Sequence, residues 1–208
     1  MQYQCSKEQF EKDTASHTME VKLDKGVHRH LVFTNKGSSV YRFDITTWPG
    51  YLCISGDMGC YVFSRLPDMF EFFRNPAGNI NPSYWAEKLQ SDARYRGCKE
   101  YSEKKFRETV QNYVESWVDD TEPSDDDEAQ LQEEIKELVL CAENEWQAHE
   151  KAAEFEFKGE PFFSDFWEHD LTDYTSQFIW CLYAIVHAIN KYDQAGKISI
   201  ASGEDETA

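Results

Sequence analysis

Residues 56–59 read Gly-Asp-Met-Gly between two apolar runs, YLCIS and YVFSR, and set one carboxylate, Asp57, at the tip of a tight turn. A phosphate-cradling loop needs GxxxxGKS, GxxxxGKT or GxGxxG between a strand and a helix, so that backbone N–H groups converge on the anion. GDMG has neither spacing and lies between two strand-like runs. A hairpin turn is therefore the expectation. Asp57 is the alternative, a polar contact for a small ligand at that end of a sheet. Cys53 and Cys60 flank the turn, where two thiols could face each other across the hairpin. The six cysteines are scattered with no CxxC pair, and packed, reduced thiols are the plainer reading.

Metal-ligand types occur in three places. His28 and His30 are two apart and share a strand face, as either ligands or ordinary polar surface. Glu145 and His149 are four apart, whereas di-iron carboxylate sites want Glu-x-x-His on paired helices. Glu168-His169-Asp170 are adjacent, and adjacent side chains rarely converge on one ion. Neither HExxH nor the GxSxG nucleophile elbow is present. These residues call for no cofactor and no metal, and an enzyme is the less favoured reading.

The strongest feature is charge. The net charge is −18, and residues 1–118 hold 16 basic and 15 acidic side chains against 5 and 24 in residues 119–208. Within 119–173 there are 20 acidic and 3 basic side chains. Such asymmetry points to an interaction surface. The acids expected to form it are Asp119, Asp120, Asp125, Asp126, Asp127, Glu128, Glu133, Glu134 and Glu137. Direct DNA binding by this half is disfavoured by repulsion from phosphates. Arg94, Arg96, Lys99, Lys104, Lys105 and Arg107, with Tyr95 and Tyr101 between them, form a modest basic cluster that could touch nucleic acid or offset the acids.

The elements that must carry these residues indicate an α+β fold. Alternation of Tyr41, Phe43 and Ile45 with Arg42 and Asp44 has period two. Turn clusters at Asn35–Ser38, Trp48–Gly50 and 56–59 divide residues 28–65 into an antiparallel meander of about four strands. Short helices are expected at 7–16, DMFEFFR and SYWAEKLQ. Ser102 caps an amphipathic helix with Phe106, Val110, Tyr113, Val114 and Trp117 on one face. DDTEPSDDDE, 119–128, is expected to be a solvated loop. A long helix from about Asp126 to Phe155 follows, with Leu131, Ile135, Leu138, Ala142 and Trp146 as its stripe, reaching about 45 Å. A last helix, Thr172 to Tyr192, is apolar on nearly every face and belongs in a core or at a homo-oligomer contact through 173–192. The expected division is a near-neutral 1–118, an acidic helical 119–193 packed on it, and a flexible tail 194–208. The longest apolar run is far short of the ~20 residues of a membrane span. The opening MQYQCSKEQFEKD lacks the pattern of a signal peptide, so a soluble cytosolic chain is expected.

The words TWPGYLCISGDMGCYVFSR, DMFEFFR, INPSYWAEK and YSEKKFR resemble a group of phage- and prophage-encoded proteins with no assigned activity, over about residues 30–110. The resemblance implies a phage accessory origin and action in the cytoplasm of an infected bacterial host. It implies no catalytic residues. Joined to the charge, it leads to the expected function of an acidic antagonist, in the extreme a nucleic-acid mimic. The expected partner is a host protein with a basic, nucleic-acid-binding surface, either a nucleic-acid-binding or a defence protein. The alternative is a small enzyme or ligand binder near the GDMG hairpin.

Overall fold

A computed structural model of the chain describes residues 5–91 and 97–203. The chain forms two compact units: residues 1–98 with 174–208, and Lys99–Asp173, which is inserted between the two parts of the first. The architecture is α+β, as the periodicities indicate.

The first unit is built on a six-stranded antiparallel meander, β1 (Thr18–Lys25), β2 (His28–Asn35), β3 (Ser38–Trp48), β4 (Tyr51–Gly56), β5 (Gly59–Ser64) and β6 (Leu89–Ser91), in sequence order. Strands β2–β5 follow the expected alternation. Leu31 lies opposite Ile45 and Phe33 opposite Phe43, and Leu52, Ile54, Tyr61 and Phe63 continue the same buried face. The rings of Phe33 and Phe43 stack with centroids 4.6 Å apart. Strand β1 adds an edge that the expected four-strand sheet lacked, and β6 adds the other. Against the apolar face pack α1 (Lys7–Thr14), α2 (Met69–Phe73), α3 (Pro82–Ala86) and the last helix, α7 (Ser176–Gly203). Phe178, Trp180, Leu182, Ile185, Val186 and Ile189 of α7 are all buried. These apolar side chains are thus used inside this unit. The helix also runs beyond the expected end at Tyr192 to Gly203, and the part of the expected tail from 204 lies outside the described residues.

Two side-chain pairings tie polar groups into this core, although Arg29 Nε and both ring nitrogens of His17 are buried without a hydrogen-bond partner among the described residues. Arg29 is almost buried and meets Asp68 with two bonds of 2.9 Å, while its guanidinium lies 4.5 Å from the Phe70 ring centroid. Asp68 also caps α2 by accepting from the Phe70 N–H. The Trp180 indole N–H donates to Asp13 of α1 at 3.1 Å.

The GDMG segment is the two-residue turn of the β4–β5 hairpin, with Gly56 paired to Gly59. Gly56 has φ +156 and Gly59 φ +124. The turn folds over an irregularity in β3, where Tyr41 has φ +57. Asp57 accepts from the Tyr41 N–H at 2.9 Å, and the Asp57 N–H donates to the Arg42 carbonyl at 2.9 Å. A Cβ on Gly56 would lie 2.1 Å from that carbonyl oxygen. Glycine is required there by backbone approach as well as by φ.

The second unit contains β7 (Lys99–Tyr101), α4 (Glu103–Thr121), α5 (Asp125–Leu138), α6 (Glu145–Glu154), the two-residue strands β8 (Glu156–Phe157) and β9 (Glu160–Pro161), a 3-10 turn (Phe166–Glu168) and β10 (Thr172–Tyr174), which pairs with β7 and ends one residue past the unit. Its core joins Phe106, Val110 and Val114 of α4 to Leu131 and Ile135 of α5 and to Phe155, Phe163 and Phe166. Ser102 caps α4 as expected, accepting from the Lys105 N–H at 3.3 Å.

Two expectations are corrected here. The 119–128 loop shrinks to Glu122–Ser124. Glu122 ends α4 in the left-handed region at φ +44, and Ser124 caps α5, so Asp125–Glu128 form a first turn where carboxylates complement the helix dipole. The single helix from 126 to 155 is two. Asn144 caps α6 by accepting from the Gln147 N–H at 3.1 Å, and the Gln147 side chain returns to the Glu143 N–H at 2.9 Å. That pairing is a variant of the capping box in which the Gln147 side-chain carbonyl accepts from the residue before the cap. The break leaves Leu138 56% and Trp146 68% exposed, outside the stripe expected to bury them. The expected domain limits at 118/119 and 193/194 are not where the chain divides, because α4 belongs with the acidic helices and α7 with the sheet.

Gly56→Val should destabilise the protein by about 2–4 kcal/mol through strain and the clash with Arg42. Asp57→Ala should cost about 1 kcal/mol for the hydrogen bond lost at Tyr41. Urea unfolding measures both, and an unchanged Gly56→Val midpoint would contradict the steric account.

Candidate partner-binding surface

The unit boundaries sharpen the charge segregation. Lys99–Asp173 holds 24 acidic and 7 basic side chains, whereas the sheet unit holds 15 and 14. One inserted unit therefore carries −17 of the net −18. Its apolar core fixes which way the acids point. Leu131 and Ile135 face α4, so Asp126, Gln130, Glu133 and Glu137, at spacings of four, three and four, line the opposite side of α5. Asp119 and Asp120 are exposed in the last turn of α4, and Asp125 is exposed at the start of α5.

The remaining predicted acids are partly engaged. Asp127 is half-buried and meets Lys158 at 2.7 Å. The Lys158 ammonium holds its carboxyl below the usual aspartate range. Glu128 and Glu134 are half-buried and accept from Gln132 and Gln130 at 2.9 and 2.7 Å. Glu133 is exposed and shares Lys136 at 3.1 Å. The surface available to a partner is thus Asp119, Asp120, Asp125, Asp126, Glu133 and Glu137. The split of the long helix shortens the outer row to about 17 Å from Asp126 to Glu137. Duplex DNA carries about ten charges over that length, against three carboxylates here. Any likeness to nucleic acid lies in the potential of the whole unit, since a phosphate-like row is not built.

Between α4 and α5 an open groove of about 890 Å³ is floored by Val110, Val114 and Ile135. Its rim is balanced by Arg107 with Glu103, Lys104 with Glu108 and Lys136 with Glu133. Of the expected basic cluster, Arg94, Tyr95 and Arg96 lie outside the described residues. Lys99 pairs with Asp170 at 2.6 Å, and Lys105 donates to the Thr172 carbonyl.

The other candidate residues are dispersed among separate partners. His30 meets Asp44 at 3.0 Å, while His28 is exposed. His149 is half-buried, with its ring 5.9 Å from that of Phe166. Glu168-His169-Asp170 point apart: His169 meets the Tyr113 hydroxyl at 3.1 Å, and Lys99 and Thr172 hold the Asp170 carboxyl well below the usual range. Among the described residues no three His, Cys, Asp or Glu side chains are grouped to hold a metal ion. The Cys53 and Cys60 sulfurs are 3.9 Å apart, and burial and its neighbour push the Cys53 thiol up to about 12. Asp57 is spent on the Tyr41 backbone.

No protein-family model matches the chain, and no curated protein or solved structure is significantly similar to it. No described helix is long and apolar enough to cross a membrane.

Reading by residue type missed two exposed aromatics of the acidic unit, Trp146 and Trp167, which are 68% and 71% exposed. The signal available for Trp146 was the Asn144–Gln147 cap, which starts a new helix. For Trp167 there was none.

Asp127 should titrate below an ordinary aspartate, and Lys158→Met should return it to the ordinary range in a carboxyl NMR titration. Because the folded pKa is depressed, the linked stability is complete above the unfolded aspartate value near 3.9 and fades as pH falls through the folded value. A titration midpoint unmoved by Lys158→Met would disprove the assignment.

Proposed function

We propose that the chain acts by binding: its acidic unit, Lys99–Asp173, engages the basic, nucleic-acid-binding surface of a protein and blocks it. The observation that carries this reading is the concentration of −17 of the net −18 in one compact unit. Carboxylates are costly to bury alone, so these face water. Their mutual repulsion costs the free unit stability, and a cationic partner relieves it. The same field steers such a partner from a distance and raises the association rate. The resemblance of residues 30–110 to phage-encoded proteins supports a bacterial host protein, and in particular a defence protein, as the target. The near-neutral sheet unit is then the scaffold from which the acidic unit projects in sequence.

The test is capture from a bacterial lysate with the full chain. Nucleic-acid-binding proteins should be retained, released as salt shortens the Debye length from about 10 Å at 0.1 M, and displaced by duplex DNA. Reversal to Lys at Asp119, Asp120, Asp125, Asp126, Glu133 and Glu137 together should abolish capture by at least about tenfold, with the circular dichroism spectrum unchanged because none of the six supports the core. A reversed variant that captures the same proteins equally well would sink the reading.

A further inference from the structure

Trp146 and Trp167 are the two most exposed large apolar side chains among the described residues, and both lie in the acidic unit. Most tryptophans are highly buried, and exposed ones mark interaction sites. Trp146 sits in the first turn of α6, with Glu150 one turn on along the same face. His149, beside Glu150, packs its ring 5.9 Å from Phe166, the neighbour of Trp167. The contact between α6 and the 3-10 turn therefore brings the two indole-bearing segments together. Carboxylates flank both: Glu143, Glu145 and Glu150 around Trp146, and Asp165 and Glu168 around Trp167. Neither indole stacks on another ring or forms a hydrogen bond among the described residues.

We propose that Trp146 and Trp167 anchor the partner interface of the acidic unit and that the partner inserts arginines there. The proposal rests on the reading of this unit as a surface for a cationic protein and names the chemistry recognised. Indole is the best side-chain acceptor of a cation on its ring face. Guanidinium is planar, weakly hydrated and able to stack while its N–H groups reach a carboxylate, whereas a lysine ammonium is a strongly hydrated point charge. Proteins that bind single-stranded nucleic acid meet bases that stack and phosphates that carry charge. An indole beside a carboxylate offers the same two features. Flat carboxylate rows such as that on α5 offer only the second.

The experiment titrates octa-arginine and octa-lysine into the full chain at low salt by calorimetry. The wild type should bind octa-arginine more tightly. Trp146→Leu/Trp167→Leu, which keeps apolar area and removes the ring, should lose about tenfold for octa-arginine and nothing for octa-lysine. The six-fold charge reversal should lose both peptides. A leucine variant that binds both peptides like the wild type, while the charge reversal loses them, overturns the indole anchor and leaves the acidic-surface reading standing. A wild-type chain that binds neither peptide overturns both. Circular dichroism confirms that the exposed substitutions leave the fold intact.

Discussion

Helix α7 carries apolar side chains around almost its whole circumference, and water tolerates that only if every side is covered. The sheet covers one side through Phe33, Phe43, Ile45, Leu52, Ile54 and Phe63, and α1 and α2 cover others. Each large side chain so buried contributes about 1.5–3 kcal/mol. The paired polar groups follow from the same constraint. Asp13 must meet the buried Trp180 indole N–H, and Asp68 must meet Arg29, because a polar group left unpaired in this core costs more than its hydrogen bond returns. The Asp68 carboxylate serves two ends at once: the Arg29 charge and the α2 N-terminus. Even the GDMG hairpin belongs to this requirement, since its docking on β3 satisfies the Tyr41 N–H beside the ring that stacks on Trp180.

The acidic unit solves a different problem with its own core. Phe106 and Phe163 pack edge to face with Phe166, an arrangement that favours defined ring positions, and Phe155 packs tilted on Phe163. That aromatic core holds three helices together against the repulsion of their surfaces. Local devices reduce the repulsion further: Asp125–Glu128 occupy a helix N-terminus, Glu128 and Glu134 accept from glutamines, and Asp127 meets Lys158. Of the exposed carboxylates on α4 and α5, Asp119, Asp120, Asp125, Asp126 and Glu137 have no cationic partner among the described residues, while Glu103, Glu108 and Glu133 each meet a basic side chain.

Much of the sheet was legible because each strand carries its own signal. Tyr41, Phe43 and Ile45 alternate, and Asn35–Ser38, Trp48–Gly50 and 56–59 mark the turns. Strand β1, TMEVKLDK, was not legible, since nearly all its side chains are exposed and it is held mainly by pairing to β2. The break between α5 and α6 was hidden by Leu131, Ile135, Leu138 and Ala142, which keep helical spacing across it. The Asn144–Gln147 cap marked it in the residues themselves. The boundary at Cys98/Lys99 was hidden by charge: α4 opens with Lys104, Lys105 and Arg107, so the composition changes only at Asp119, well inside the unit. The acids of the candidate surface were legible as residues, but which of them stay free depended on partners distant in sequence. Lys158 pairs with Asp127 from 31 positions away.

The insertion has a consequence for synthesis. The last strand of the sheet ends at Ser91 and the helix that covers it begins at Ser176, so the whole acidic unit must be translated in between. At about 5–20 residues per second, the apolar face waits about 5–20 s for its cover. During that interval Phe33, Phe43 and Tyr61, whose rings meet α7, lack that cover on a ribosome-bound chain. The segment being extruded meanwhile is the most highly charged part of the protein. Like charge in that segment disfavours close approach of its copies on neighbouring ribosomes while the sheet waits for its cover.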